Sequence, residues 1–273
     1  MLDELNRELE GFVQLHRERD VLEIRMVKPK VNAICRQFSR CMERAGLYLQ
    51  NDPDLRVGIL SSGSDKAFSA GLDFREVTTK AAAERAPGPR EGGFGGITTL
   101  WTLKKPMIAA INAPAIGGGL ELALACDMLL MADEAYLQLP ELERGLLPDG
   151  GGVQRLPRRI PYHVATAMIW TGEPMPAAEA HRWGLVYRTA PREQLMSLAW
   201  QVARRVAKGA PLAQQALKEA LRAVDSLPDD EAMALRADSE GDLDNFRRML
   251  TSQDMIEGQR AFLEKREPRW TGR

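Results

Sequence analysis

Apolar and polar residues alternate through 12–26, FVQLHRERDVLEIRM, and the alternation breaks at the polar group Arg17 to Asp20. A period of two with a polar break predicts a β-hairpin with one buried face. Lys28-Pro29-Lys30 ends it, and the period then changes. In VNAICRQFSRCMERAGLYLQ, residues Ile34, Phe38, Met42, Ala45 and Leu49 share one side of a helix, with Asn32 placed as an N-cap. VGILSS (57–62) and Met107 to Ile111 read as buried strands, and LELALAC as the opening of a helix. The recurring order of strand, helix, strand, helix predicts an α/β fold of stacked ββα units. After about residue 190 the pattern is helical, in MSLAWQVARRVAKGA, PLAQQALKEALRAV and DEAMALRADSEGDLDNFRRML. The loss of glycine and β-branched residues there predicts a boundary near 195, with a core over 1–195 and a helical region over 196–273. Residues 80–96, KAAAERAPGPREGGFGG, are poor in large apolar side chains and predict a mobile surface loop, either a lid or a plain connector.

Composition narrows the class. A hydrophobic share of 44% in 273 residues supplies a sizeable core. The 37 basic and 38 acidic residues nearly cancel, so no global field favours nucleic acid or an anionic membrane. No apolar run approaches the roughly 20 residues needed to span a bilayer, and the acidic start MLDELNRELE is unlike a targeting peptide. Cys35, Cys41 and Cys126 lack metal-ligand spacing and read as reduced thiols of a cytoplasmic protein. His16, His163 and His181 show no ligand pattern, so a metal is not expected.

Candidate chemistry concentrates in residues 107–157. Gly117, Gly118 and Gly119 lie between a strand and a helix, where the missing Cβ lets the backbone approach a ligand. The free N–H groups of that helix's first turn suit a phosphate or an oxyanion. Glu121 lies in the same turn, and Glu141 follows the stretch from Met128 to Pro140. Two converging carboxylates beside an anion-stabilising turn fit general acid–base work on a carbonyl compound better than phosphate binding. Taken alone, each glutamate favours a structural role, Glu121 at a helix N-terminus and Glu141 at the start of an exposed turn.

Taken together, FSAGLDF (68–74), IGGGLELALACD (116–127), LPELERGLLPDGGG (139–152) and QRLP (154–157) resemble the crotonase, or enoyl-CoA hydratase/isomerase, superfamily in order and spacing. The resemblance runs from about residue 12 to the end. It implies a crotonase (ClpP/crotonase-like) fold whose C-terminal helices pack subunits into homotrimers, or hexamers as dimers of trimers. It also implies an acyl-CoA thioester substrate, with coenzyme A on the substrate and no further cofactor. By the same resemblance, the amides of Leu72 and Gly118 form the oxyanion hole. Glu121 and Glu141 are the two catalytic acids, with Glu141 exchanging the C2 proton. Relatives that only shift a double bond commonly keep one of these acids, so the pair favours a hydratase or dehydratase.

Asp149, in PDGGG, stands where simple hydratases carry glycine. Dienoyl-CoA isomerases and a dehalogenase carry an acid there, and so do carnitinyl-CoA dehydratases, which LPDGGGVQRLP, GGFGG and AFLEKREPRWTGR also resemble. In that branch an acid can hold a trimethylammonium group, with Trp101 or Trp170 as aromatic partner; otherwise Asp149 is a turn residue capping amides. The resemblance further assigns Lys28, Lys30, Ala33, Ser69, Ala70 and Asp73 to the substrate groove. Gly117, Pro140 and Gly150 line the acyl side, and Phe262 and Lys265 on a terminal helix reach the nucleotide, often from a neighbouring subunit. Leu72 and the sequence NAPA (112–115) depart from the family pattern near the pocket and leave the acyl group open. The alternatives are an isomerase or other crotonase chemistry through Asp149, and an RNA-binding crotonase relative. Arg36, Arg40 and Arg44 form a basic stripe that suits RNA, but a net charge of −1 favours a solvated helix face.

Overall fold

The computed structural model describes residues 2–79, 91–225, 227–235 and 243–273. After a short helix, α1 (Leu2–Glu8), the hairpin forms as expected from β1 (Val13–Glu18) and β2 (Val21–Met26), paired antiparallel from Val13–Met26 to Glu18–Val21. Four further strands extend it: β3 (Val57–Ser62), β4 (Met107–Ile111), β6 (Met128–Ala132) and β9 (Arg188–Ala190). The sheet order is β1-β2-β3-β4-β6-β9, parallel from β2 onward. All five residues of β4 are buried, as are the first five of β3, which fits parallel strands covered on both faces. A second, three-stranded sheet joins β5 (Ala115–Ile116), β7 (Tyr136–Gln138) and β8 (Met175–Pro176) in the order β5-β7-β8. Together they make an α/β architecture, as the resemblance implies.

Helix α2 (Arg36–Asn51) buries Phe38, Met42, Ala45 and Leu49 against the sheet, the face its spacing predicts. Its N-cap, however, is Cys35, whose Sγ accepts from the Phe38 amide, and not Asn32. Ile34 is held in an isolated parallel bridge to Leu72, so the chain is still extended at that point. Asn32 is fully buried with φ 48°, and its Nδ2 donates to Ser62 Oγ and the Phe68 carbonyl. It staples two loops together.

The expected mobile loop is also corrected in part. Residues 80–90 lie outside the described residues, but Gly92, Gly95 and Gly96 are buried. A turn of 3-10 helix over Phe94–Gly96 packs on α2, with the Gly95 amide donating to Ser39 Oγ at 3.1 Å. The helix after β5 is α4 (Gly118–Leu124), preceded in the chain by α3 (Phe74–Thr79). Two of the three glycines therefore lie inside α4, and Gly117 is its N-cap.

Four helices, α5 (Gly152–Arg159), α6 (Tyr162–Thr171), α7 (Ala177–Arg182) and α8 (Arg192–Ala207), interleave with the last strands. Helix α8 straddles residue 195, where a boundary was expected. Leu195, Ala199, Val202, Ala203 and Ala207 are buried in the same core as the sheet, so α8 is part of it. The chain then forms α9 (Pro211–Val224), α10 (Asp229–Ala234), α11 (Asp244–Leu250) and α12 (Gln253–Leu263). An ion pair whose lysine is buried ties this layer to the core: Lys218 Nζ of α9 donates to Asp127 Oδ2 at 2.8 Å and to the Lys105 carbonyl at 3.0 Å. The same Asp127 oxygen accepts from the Met107 amide that opens β4, at 2.7 Å.

Candidate active site

The site lies where three loops meet at the ends of the two sheets. In the bridge to Leu72, Ile34 donates to the Gly71 carbonyl at 2.7 Å and accepts from the Asp73 amide at 2.8 Å. A parallel bridge bonded through the flanking residues turns the Leu72 N–H away from Ile34. Gly71 has φ 77°, and a Cβ there would lie 2.8 Å from both the Gly118 nitrogen and the Ile116 carbonyl. Only glycine lets the two chain segments abut, with the Gly118 nitrogen against Gly71, the residue before Leu72.

Pairing of β5 with β7, Ile116 opposite Gln138, fixes the first glutamate. Gly117 donates to the Gln138 carbonyl at 2.8 Å, and three residues on, Glu141 opens a 3-10 turn over Glu141–Arg144. Its carboxylate folds back over Gly117, where an added Cβ would meet Oε1 at 2.7 Å. Glu141 Oε2 is buried without a hydrogen-bond partner among the described residues, and burial raises the group's pKa. Nearby Arg144 opposes that rise, and Asp149 adds to it.

Glu121, in the first turn of α4, is 3% exposed. Its Oε1 accepts from the Gly152 amide at the start of α5, at 3.0 Å. Burial lifts its pKa from 4.5 to about 7, against the Gly152 and Gly150 amides and with help from the charges of Glu141 and Asp149. A Cβ on Gly150 would meet Glu121 Oε2 at 2.6 Å, so the PDGGG turn lies directly against this acid. Two acids with raised pKa beside backbone donors can exchange protons with, and stabilise an enolate of, a bound carbonyl compound.

The other expected positions divide. Lys28 Nζ pairs with Asp73 and bonds the Ala33 carbonyl, each at 2.7 Å, which holds the Asp73 carboxyl below its ordinary range. Lys28 is thus a tie at the rim as much as a free cation. Lys30 is exposed in the left-handed region, φ 72°, and Ala70 is half-buried. Ser69 does not line an open groove: it is fully buried, accepts from the Gly71 amide and donates to the Asn32 carbonyl. Pro140 caps the Glu141 turn, and its carbonyl accepts from Arg144. Asp149 is exposed beside Gly150. Trp101 already carries two of the chain's own cations, Arg155 and Arg222, at 5.8 and 5.2 Å from its ring centre. Trp170 is 76% exposed on α6. Phe262 is 83% exposed in the last turn of α12. Lys265 lies past the helix end with φ 54°, not on the helix as expected. In the basic stripe, Arg44 pairs with Glu8, and Arg36 is half-buried. Among the described residues no group of three or more His, Cys, Asp or Glu could hold a metal, and no helix is long and apolar enough to cross a membrane.

One aromatic was not singled out. The Phe94 ring lies within 2.4 Å of where a Cβ on Gly118 would be and 2.9 Å from one on Gly150. The glycine-flanked phenylalanine in GGFGG was its signal in the sequence, but its reach depends on two glycines far along the chain.

The family model described as Enoyl-CoA hydratase/isomerase matches residues 16–273. A carnitinyl-CoA dehydratase of Salmonella paratyphi A is 43% identical over 261 residues, covering 96% of this chain and 98% of that one. Among solved structures, an enoyl-CoA hydratase from Mycobacterium tuberculosis H37Rv superposes with a TM-score of 0.86 at 34% identity, covering 97% of this chain and all of the other. An enoyl-CoA hydratase from Bacillus anthracis gives a TM-score of 0.84 at 29% identity, covering 96% and 99%.

Proposed function

Because the chain belongs to the enoyl-CoA hydratase/isomerase family and is an acyl-CoA hydratase or dehydratase, a lyase, we propose that its acyl group is of the carnitine type. The observation that carries the reaction is the pairing of Glu121 and Glu141, both with raised pKa, beside the close contact of Gly71 with Gly118, which supports the amides of Leu72 and Gly118 as the oxyanion hole. In this reading the two amides bind the thioester oxygen and hold the charge that develops as the enolate forms. Being fixed backbone donors, they need no reorganisation. The glutamates flank C2 and C3. One, charged, takes a proton from water as it attacks C3, and the other, protonated, supplies a proton to C2; dehydration runs the same steps backward. Burial raises the pKa of both acids, Glu121 to about 7, which makes a protonated form accessible near neutral pH. No cofactor is needed beyond the coenzyme A of the substrate.

The carnitine-type acyl group is supported by the 43% identity to a carnitinyl-CoA dehydratase and by an acid, Asp149, whose charge reaches both glutamates. The same proposal includes homotrimers, alone or paired as hexamers, in the cytoplasm. Exposed Leu217 and Leu221, one turn apart on α9, and Ile256, Phe262 and Leu263 on α12 support an assembly, and three free cysteines support a reducing compartment.

The test is hydration of crotonyl-CoA and crotonobetainyl-CoA side by side, with Glu121→Gln and Glu141→Gln as controls. Turnover of crotonobetainyl-CoA in preference to crotonyl-CoA, lost in both variants, is the expected result. Preference for crotonyl-CoA overturns the carnitine-type acyl group. Wild-type inactivity on both thioesters, with coenzyme A binding intact, sinks the proposal for this site.

A further inference from the structure

We infer that Arg155 is a positioning residue for Glu121: its guanidinium braces the glycine turn that presents the Gly152 amide to that carboxyl. The inference rests on the hydratase or dehydratase reading of the site given above. Three consecutive glycines, Gly150 to Gly152, make this turn the loosest backbone near either acid. Yet the turn must hold still. The Gly152 amide donates to Glu121 Oε1 at 3.0 Å, and a Cβ on Gly150 would lie 2.6 Å from Oε2.

Arg155, one turn into α5, supplies the restraint. Its own amide donates to the Gly151 carbonyl at 2.9 Å, and its side chain folds back over the same glycine. A Cβ on Gly151, at φ 133°, would collide with Nη1 and come within 3.3 Å of Cζ. The guanidinium therefore fills the space that a side chain at 151 would take. From there Nη2 donates to the Thr98 carbonyl at 2.5 Å, and Cζ stands 5.8 Å from the centre of the Trp101 ring. A planar fork can bond a carbonyl and lie against a ring at once, which an ammonium cannot.

The buttress on which Arg155 leans is itself anchored. Thr98 is 2% exposed, and its Oγ1 donates to the Phe94 carbonyl at 2.6 Å. Arg222 of α9 donates to the Trp101 carbonyl at 3.0 Å, with its Cζ 5.2 Å from the ring centre. A line of contacts thus runs from the C-terminal helical layer through Trp101 and Arg155 to the turn at Glu121. The partners of Arg155 are a carbonyl and a ring, not a carboxylate in ion-pair contact among the described residues. Burial lowers its pKa, as do Arg159 and Arg222, and the charge of Glu121 opposes them. On Glu121 itself burial raises the pKa, the Gly152 and Gly150 amides lower it, and Glu141 and Asp149 raise it. Loosening the turn removes an amide that favours the charged acid, and removing Arg155 takes away a cation that does the same.

The test measures turnover of crotonyl-CoA and crotonobetainyl-CoA from pH 5 to 9. It also follows the titration of Glu121 without turnover, from the infrared carboxyl band that Glu121→Gln lacks. Arg155→Met keeps the bulk that covers the site. It should lower kcat about 100-fold with little change in KM, and raise the pH at which Glu121 titrates by about one unit. Arg155→Lys, with charge but no fork, should recover part of both. Arg222→Met should shift the titration the same way by less. A titration that stays or falls in Arg155→Met overturns the inference even where kcat drops, because general damage to the fold would do that. An unchanged kcat in an active enzyme overturns it too. If Arg155→Met does not fold, Arg155→Lys and Arg222→Met decide by the same titration. A raised Glu121 titration in a protein whose wild type turns over neither thioester upholds the brace and sinks the proposed reaction. Turnover lost in Glu121→Gln but untouched in Arg155→Met does the reverse.

Discussion

Replacing Glu121 by glutamine should remove activity and stabilise the protein, and the gain should depend on pH. Glu121 is 3% exposed, and burial holds its pKa at about 7 against an ordinary 4.5. Below pH 4.5 the carboxyl is protonated in both the folded and unfolded chain and contributes nothing to the pH dependence. Between 4.5 and about 7 the unfolded chain releases the proton while the folded one keeps it, so stability falls as pH rises. Above 7 the loss is complete, roughly 3 kcal/mol at about 1.4 kcal/mol per pH unit. Glutamine cannot ionise, yet its carbonyl can still accept from the Gly152 amide. The difference between Glu121→Gln and wild type should therefore climb from near its acid-side value at pH 4 by on the order of 3 kcal/mol at pH 8. Urea unfolding at fixed protein concentration, at several pH values across that window, measures it. A difference that stays flat from pH 4 to 8 would refute the claim that burial perturbs this acid.

Other outcomes follow from single contacts. Gly117→Ala places a Cβ 2.7 Å from Glu141 Oε1 at φ 55°, so it should displace that acid and lower kcat about 100-fold with a smaller change in KM, read by steady-state hydration kinetics. Lys28→Met strips Asp73 of its donor in a pair whose side chains are 17% and 20% exposed. It should cost about 1–2 kcal/mol in urea unfolding at pH 7. That contribution is present above the ordinary carboxyl value and fades as pH falls through the lowered pKa of Asp73, so the two proteins should converge in acid. Asp127→Asn leaves the buried Lys218 ammonium without its anion and should cost about 3–5 kcal/mol, partly recovered by adding Lys218→Met. Equal unfolding midpoints for Asp127→Asn and wild type would contradict that.

Much of the sheet was legible because each strand's burial is written in its own residues. The alternation of β1 and the unbroken apolar runs of β3 and β4 need no knowledge of the rest of the chain. What failed depended on distant partners. Asn32 looks like a helix cap until Leu72 is seen to hold Ile34 extended, and Ser69 looks like a groove residue until its hydroxyl is claimed by Asn32 and Gly71. The boundary near 195 followed a real change in composition, but an amphipathic helix can cover a sheet as readily as it can leave one, and α8 covers it. The two glutamates were visible as a pair through spacing and resemblance, while their burial was not. Phe94 escaped because its place is defined by side chains that two glycines lack.

The ion pair between Asp127 and Lys218 bears on how the chain is made. Every strand, and every residue of the glutamate site, emerges from the ribosome before α9 does. Until then the Asp127 carboxylate, 34% exposed, is reached by solvent and by the Met107 amide, so the sheet can close without waiting for its cation. Lys218, 7% exposed, is the charge that goes under cover, and it follows Asp127 by 91 residues. When α9 docks, an anion already stands where its lysine is buried, so a core laid down early sets the seating of a layer added late.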